Sequence, residues 1–414
     1  MARSLRQMHA HHKERHRPSG FQFAFADRID LLNPAAWDAL TAGGTVFLRR
    51  DMLRVVEDHG PQNVEPRYAL VSRSGKAVAA LATQLVHVTP EQFGRPKPEA
   101  TQKRSLLKRV LKPISLKPAS KIVSQRMLVG GNLLSWGFHG VAFAAGEAAE
   151  SVWPGVAEAL YRIRRADRLI GQTNLVMVKD AGATETQGGI EALRRFSYRP
   201  VETEPNMVLS LRPEWKTFDD YLAALDGKRR RNVRDIEKKL TAAGCTIESS
   251  SGLDTDAARI HELYLAVHNR AAIRLATLPV TYLPALAAAA GEGFRSTVIR
   301  RDGRILGFVT SVKDGETAVG YYVGFDRAEA EAGLPLYLRL LYASVADALH
   351  WRCSRLSMGR TALEPKAGLG AKPEPMSVWV RHRVPSLNVL LRGVAAAIPH
   401  AEAPERHPFK ESAS

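Results

Sequence analysis

The sequence is short of the features that hold small or secreted proteins together. It has two cysteines, Cys245 and Cys353, in 414 residues. That excludes a disulfide framework and leaves too few thiolates for a cysteine-based zinc site. No apolar run approaches the ~20 residues needed to cross a bilayer. The stretch Met1–Ser19 is basic and His-rich without an apolar centre, so it is not the pattern of a secretory signal. A cytoplasmic protein, soluble or peripheral to a membrane, is the expectation. His9, His11, His12 and His16 read as a flexible tail rather than a metal site, and no metal is expected. No Ser-His-Asp or Cys-His spacing stands out, although such sites assemble in space rather than along the chain. Gly130-Gly131-Asn132 and Gly188-Gly189 lack nucleotide-loop spacing and read as turns.

What is present is an ordinary globular composition, 45% hydrophobic and 24% charged, in a chain too long for one core. The formal net charge is +17. It points to nucleic acid, a phosphate-rich cofactor, anionic lipid or an acidic precursor as partner, or else reflects only an Arg-rich composition.

The most informative feature is an internal echo. Tyr68–Val86 and Phe294–Lys313 align on Gly75 and Gly303. Each is an apolar strand, a tight turn (Arg73-Ser74-Gly75-Lys76; Arg301-Asp302-Gly303-Arg304) and a second apolar strand, with glycine where a two-residue hairpin needs positive φ. The echo continues. Trp136–Val141 reads as a strand, Val156–Ala166 as a helix, and Asn174–Lys179 and Asn206–Leu211 as strands. In the second half the matching pieces are Thr317–Val323, the helical period of Leu336–Trp351, and strands at Arg355–Met358 and Met376–Arg383. Thr246–Glu248 and helices at Thr255–Ala272 and Thr281–Ala290 precede the second hairpin.

These patterns divide the chain into a tail (1–20), a first unit (21–212), a second unit (213–395) and a second tail (396–414). Pro213 marks the boundary. The first unit carries a basic insertion over about 90–128. Within it, Thr101–Lys121 has seven Lys or Arg and no acid, and Gln102–Leu111 sets Leu106, Leu107, Val110 and Leu111 on one helical face. Pro113 stops that helix. It serves either a membrane surface or polyanion, or simply caps its own domain.

The order of the second half resembles the GNAT acyltransferase fold. Phe218–Gly244, Met358–Ala371, Lys179-Asp180 and Tyr198–Leu211 resemble the BioF2-like branch of that superfamily, which is similar to the FemAB peptidyltransferases. The resemblance runs from about Ala24 to Arg383. It implies a mixed α/β chain of tandem duplicated GNAT-like folds, an acyl donor such as acyl-CoA held between separated central strands, and an amine or amino-acid-like acceptor. The FemAB similarity implies the alternative of aminoacyl or peptidyl transfer from tRNA to a cell-wall precursor. The usual pyrophosphate loop is missing: Asp326–Leu334 has only Gly333, and Ala144–Glu150 only Gly146. A third reading is a non-catalytic double fold that presents a basic surface. The first unit is expected to be scaffold, since its insertion replaces the approach to a donor loop.

Amine acylation needs a base for the amine, polarisation of the carbonyl and a proton for the leaving group. The resemblance places Tyr322, Val323 and Gly324, at the end of a central strand, against the donor, and Tyr337, at a helix start, as the acid. Strand alternation puts Tyr321 and Tyr322 on opposite faces. The loop Gly359–Lys366 follows a strand directly, where α/β proteins bind ligands. There Arg360 and Lys366 suit phosphate or carboxylate, and Glu364 is the best-placed base. Gly333 is the remaining donor-loop candidate. Lys228, Arg230 and Arg231 open a polar helix suited to a phosphate-dense partner; without interleaved aromatics it is not a sequence reader. Each of these also has a structural reading: packing aromatics, an Arg–Glu loop pair, a solvated face.

Overall fold

The computed structural model describes residues 18–89, 92, 125–166, 171–182, 189–253, 256–271, 273–388 and 406–410. The first half runs β1 (Gln22–Ala26), α1 (Pro34–Thr41), α2 (Arg50–His59), β2 (Val64–Arg73), β3 (Lys76–Val88), β4 (Gln125–Gly130), a short β5 (Val141–Phe143), α3 (Ala149–Ala166), β6 (Thr173–Ala181) and β7 (Arg199–Ser210). The second runs α4 (Phe218–Ala224), α5 (Gly227–Ala242), β8 (Cys245–Ser250), α6 (Ala257–His268), α7 (Tyr282–Ala290), β9 (Phe294–Arg301), β10 (Arg304–Asp314), β11 (Thr317–Phe325), α8 (Arg327–Glu331), α9 (Leu336–His350), β12 (Arg355–Ser357), α10 (Leu363–Gly368) and β13 (Lys372–His382). Strand, two helices, three strands, helix, two strands therefore occurs twice. The hairpins that betray the repeat turn alike: φ is 51° and 78° at Ser74 and Gly75, and 50° and 76° at Asp302 and Gly303. Positive φ at both central residues matches the right-handed twist of the strands.

All strands join one mixed sheet in the order β1-β2-β3-β4-β6-β13-β7-β12-β11-β10-β9-β8, with β5 on β3. The terminal strands trade places. β13, from the end of the second half, lies between β6 and β7, while β7 pairs with β12. Side chains cross with them: Trp379 of β13 is buried among Trp153, Leu160 and Val178 of the first half, and Met207 and Leu209 of β7 among Leu340, Leu341 and Leu356 of the second. A cut at 212/213 separates the halves in sequence but not in the sheet.

Two readings change. Trp136–Val141 is not a strand: β4 occupies Gln125–Gly130, between β3 and β6, and the chain then turns through 131–140. Glycines explain the turns, since Gly131 and Gly137 have φ of 131° and 117°, and these give way to strand only at Val141. The basic insertion therefore ends before Gln125. The helix expected over Gln102–Leu111 lies outside the described residues, as does the His-rich tail. Among the described residues no helix is long and apolar enough to cross a membrane, and no group of His, Cys, Asp and Glu could hold a metal ion.

Candidate functional site

The centre of the second half opens because two parallel strands part. β11 pairs with β12 only from Thr317 to Val319. Beyond that, β12 ends, and Met358 and Gly359 turn away to bond Met207 of β7. On its other side β11 carries a bulge: Val309 faces Val323, but Ser311 faces Gly320, so β11 has one residue extra. Thr310 Oγ1 accepts from the Tyr322 N–H at 3.0 Å and holds the bulge in place. Bulges bend strands and re-aim side chains. Here the alternation expected at Tyr321 and Tyr322 fails, and both tyrosines line the same cleft. In the first half the corresponding strands do not part. β4 stays paired with β6 from Arg126 to Gly130.

The resulting cavity measures about 380 Å³. One wall is Gly320–Val323 of β11. The floor is the start of α9 with Tyr337, Leu341 and Ser344, and the opposite wall is Met358–Thr361 with Lys366. α6 contributes Tyr264 and His268, and the first half supplies Ser135, Trp136 and Lys179. The first half is thus more than scaffold, since it closes the cleft. Trp136 donates its indole N–H to Ser357 Oγ at 3.0 Å, and Tyr322 its hydroxyl to the Leu134 carbonyl at 3.1 Å. Asn206 of β7 bonds Ser357 Oγ and the Gly359 N–H, fixing the turn that carries Arg360. Gly359 has φ of 76° beneath the Trp136 ring, where a Cβ would lie 3.2 Å from the indole.

The electrostatics are lopsided. Asp180 is fully buried and pairs with both Lys179 and Arg360. It also accepts from the Gly137 N–H at 3.0 Å. Lys179 Nζ donates to the Ser135 carbonyl at 2.7 Å, and Lys366 Nζ to the Gly359 carbonyl at 3.2 Å. Lys179 and Arg360 therefore share one buried carboxylate, and the charge on Lys366 is met only in part by Glu204. Burial, assisted by the Arg360 charge, drives the Lys179 ammonium well below its usual pKa. Burial lowers Lys366 to about 8 and Arg360 to about 10. Arg360 Nε is buried with no protein partner among the described residues. A negatively charged ligand would relieve all three strains at once. Burial also holds the phenols of the cleft in their neutral form: Tyr337 is pushed up to about 12, and Tyr321 and Tyr322 well above their usual range. His268 is lowered to about 4 by burial and by the Arg274 charge, so its ring is neutral at pH 7.

Of the residues singled out in the sequence, the fold brings Tyr322, Val323, Tyr337, Arg360 and Lys366 into the cleft. Glu364 is a correction: it lies on the outer side of α10, 61% exposed, facing Arg406 at 3.2 Å. A short helix turns Lys366 inward and Glu364 outward. Gly324 does not line the cavity either. A Cβ there would meet the Leu263 backbone at 2.5 Å, so its glycine lets α6 lie on β11. Gly333 is exposed in the connection before α9. Lys228, Arg230 and Arg231 lie on α5, whose buried face is Val233, Ile236 and Leu240, and none of the three lines the cleft. The connection at Asp326–Leu334 folds as α8, and the Asp326 carboxylate accepts from its first amides, Ala328 and Glu329. The N–H groups that a phosphate could use are capped from within. Sequence reasoning missed Ser135, Trp136, Tyr264 and His268, because nothing in their spacing links them to β11.

The family model described as an acetyltransferase (GNAT) domain matches residues 227–366. A search of curated proteins finds no match. Among solved structures, FemX is similar at 10% identity, covering 90% of this chain and 99% of its own, with a TM-score of 0.52. A tandem GNAT protein from the clavulanic acid biosynthesis pathway is similar at 14% identity over 88% of this chain and 99% of its own, with a TM-score of 0.49. The C-terminal domain of a putative lysylphosphatidylglycerol synthetase from Agrobacterium fabrum follows at 12%, 87%, 94% and 0.44. The chain has a tandem GNAT fold, and the matched acetyltransferase domain supplies the half in which the strands part.

Proposed function

We propose that this protein transfers an acyl group from an activated donor, acyl-CoA in the first instance, to an amine whose own molecule carries a negative charge. The observation that carries the reading is the cleft at the parted strands: an unpaired stretch of β11 on one side, a neutral buried phenol at a helix start, and three under-neutralised cations opposite. Along Gly320–Val323 the strand edge facing β12 offers backbone groups to the acyl carbonyl and the arm behind it. Tyr337 is protonated at any physiological pH and has no hydrogen-bond partner among the described residues, so its proton is available to the departing thiolate. Arg360, Lys366 and Lys179 would receive a carboxylate or phosphate on the acceptor. Glu364 does not serve as the base in this reading, because its carboxylate is turned away.

One observation favours a second reading. With the amides of α8 capped by Asp326, a CoA pyrophosphate finds no ready cradle there. A donor such as an aminoacyl ester on tRNA, delivered in the FemAB manner to a phosphate-bearing precursor, would not need one. The BioF2-like and FemAB-like assignments belong to these two readings. The division into units at 21–212 and 213–395 is part of the same proposal, with the first unit donating one wall of the cleft rather than a second active site.

Thermal unfolding with a panel of acyl-CoAs and a non-hydrolysable aminoacyl-tRNA mimic tests this. A donor at ~100 times its Kd adds about 2.7 kcal/mol. The first reading expects an upward shift with an acyl-CoA that persists in Arg360→Ala, while that variant loses the further shift given by an anionic amine acceptor; a shift only with the tRNA mimic selects the second. No shift with either leaves only a non-catalytic basic scaffold.

A further inference from the structure

A second constellation reaches the cleft through Ser135, and the acyl-transfer reading above makes no use of it. Ser135, in the turn after β4, is 4% exposed and lines the cavity. Its hydroxyl lies 2.8 Å from Nδ1 of His139. On the far side of that ring, Nε2 is 3.6 Å from Oδ2 of Asp314, at the end of β10. The three residues come from the two halves and meet only because the 131–140 turn is laid against the second half.

Each member is held by contacts that fix its orientation. Asp314 accepts from the Val46 N–H at 2.7 Å and the Thr45 hydroxyl at 2.9 Å. Burial works against its charge, but the His139 ring and these donors outweigh it and keep the carboxyl below its usual pKa. A carboxylate on Nε2 selects the tautomer with the proton there and leaves the Nδ1 lone pair facing the Ser135 hydroxyl. The Phe47 ring stacks on the imidazole with centroids 4.4 Å apart. Gly137 supplies the space: it sits at φ 117°, and a Cβ there would lie 2.7 Å from His139 Nε2. Only glycine lets the ring occupy this position. Lys179 Nζ donates to the carbonyl of the same serine at 2.7 Å, and Lys179 lines the same cavity. Nucleophile, base within hydrogen-bond reach, orienting carboxylate and a neighbouring Lys179 N–H for a developing oxyanion are the parts of an activated serine. The His139–Asp314 contact, at 3.6 Å, is the loosest link.

We propose that Ser135 is an acyl-accepting nucleophile, activated by His139 and Asp314, so that the acyl group rests on this serine between donor and acceptor. The proposal rests on the acyl-transfer reading for the identity of the donor. Ser135 Oγ attacks the acyl carbonyl while its proton passes to Nδ1 of His139. The tetrahedral oxyanion forms next to Lys179. Collapse breaks the bond to the leaving thiolate or alkoxide, which departs with a proton, leaving an ester on Ser135 and a neutral imidazole. The amine then attacks that ester, its proton goes by way of Nδ1 back to Oγ, and the amide leaves. Atoms and charge balance without any further reactant.

The test uses the full chain and p-nitrophenyl acetate, which needs neither CoA nor the natural amine. A burst of p-nitrophenolate near one equivalent per chain is expected, with the acetyl group found by mass spectrometry on the peptide containing Ser135. Ser135→Ala removes both. Ser135→Cys keeps a nucleophile of similar size and is acetylated at the same position, which a merely structural serine would not be. His139→Ala and Gly137→Ala slow the burst by about 10²–10⁴-fold, with unfolding temperature followed to separate loss of fold from loss of base. Acetylation confined to lysines and unchanged in Ser135→Ala overturns the proposal, and so does the absence of any burst from folded protein. A donor-induced thermal shift without Ser135 acetylation sinks this inference and leaves the transfer reading standing; acetylated Ser135 without any donor shift does the reverse.

Discussion

Lys366 offers the sharpest quantitative handle on the cleft. The side chain is 4% exposed, its one hydrogen-bond partner among the described residues is the Gly359 carbonyl, and burial lowers its pKa from 10.5 to about 8, with Glu204 opposing only partly. Each pKa unit corresponds to about 1.36 kcal/mol, so holding this ammonium charged inside the protein costs about 3 kcal/mol. The sign follows from proton counting. Between pH 8 and 10.5 the unfolded chain keeps this proton while the folded chain has lost it, so stability rises with pH across that window. Below pH 8 both states are charged and the full penalty is present. Lys366→Met removes the penalty together with a hydrogen bond worth about 1 kcal/mol. At pH 7 the variant should therefore be more stable by about 2 kcal/mol, with the advantage shrinking and reversing toward pH 10.5. Denaturant unfolding of both proteins from pH 6.5 to 10.5 measures this. A difference between them that is independent of pH would refute the reasoning, because the lysine would then not carry a buried charge. The same variant should lose affinity for an anionic acceptor, so stability and function would move in opposite directions.

Three further outcomes follow from the geometry. Tyr337→Phe should lower kcat/KM for transfer by about 10²-fold or more with donor binding intact; since the hydroxyl titrates near 12, the wild-type pH–rate profile should show no alkaline fall from this group below about pH 11. Gly324→Ala places a Cβ 2.5 Å from the Leu263 backbone and should cost about 1–3 kcal/mol by denaturant unfolding, with α6 and its Tyr264 shifted off the cleft. Trp379→Ala empties a site 2% exposed in the core of the first half and should cost about 3–5 kcal/mol; hydrogen exchange should rise in β6 and α3, far from the substitution in sequence.

Local signals carried most of the fold. The Ser74-Gly75 and Asp302-Gly303 turns announce their hairpins because positive φ at two successive residues has few chemical solutions. The later turns of α3, Val156–Ala166, and the whole of α9, Leu336–His350, show their buried faces as period, whereas the first turns of α3, around Pro154, do not. Where the sequence misled, a non-local contact had decided the matter. Trp136–Val141 has strand composition, but its glycines sit in turns, and Trp136 is spent on capping Ser357. Glu364 and Lys366 are two residues apart on a short helix, so only one can face inward, and nothing local says which. The exchange of β7 and β13 cannot be read from either strand, since nothing in a strand's own residues names its neighbour in the sheet. His139 and Asp314 lie in different halves, so no spacing rule could join them.

The traded terminal strands have a consequence for how the molecule comes into being. The arrangement is the covalent counterpart of a swapped dimer, in which each half completes the other. A ribosome that has released only the first half has made β6 and β7 but not the β13 that lies between them. In that half β6 ends in an open edge and β7 is cut off from the other strands until the last strand emerges. Closing so distant a pairing is slow, and an unpaired strand edge invites the wrong neighbour. The two halves should therefore fail to behave as separable modules: expressed apart, each would be insoluble, and expressed together they should recover one another as an interlocked pair.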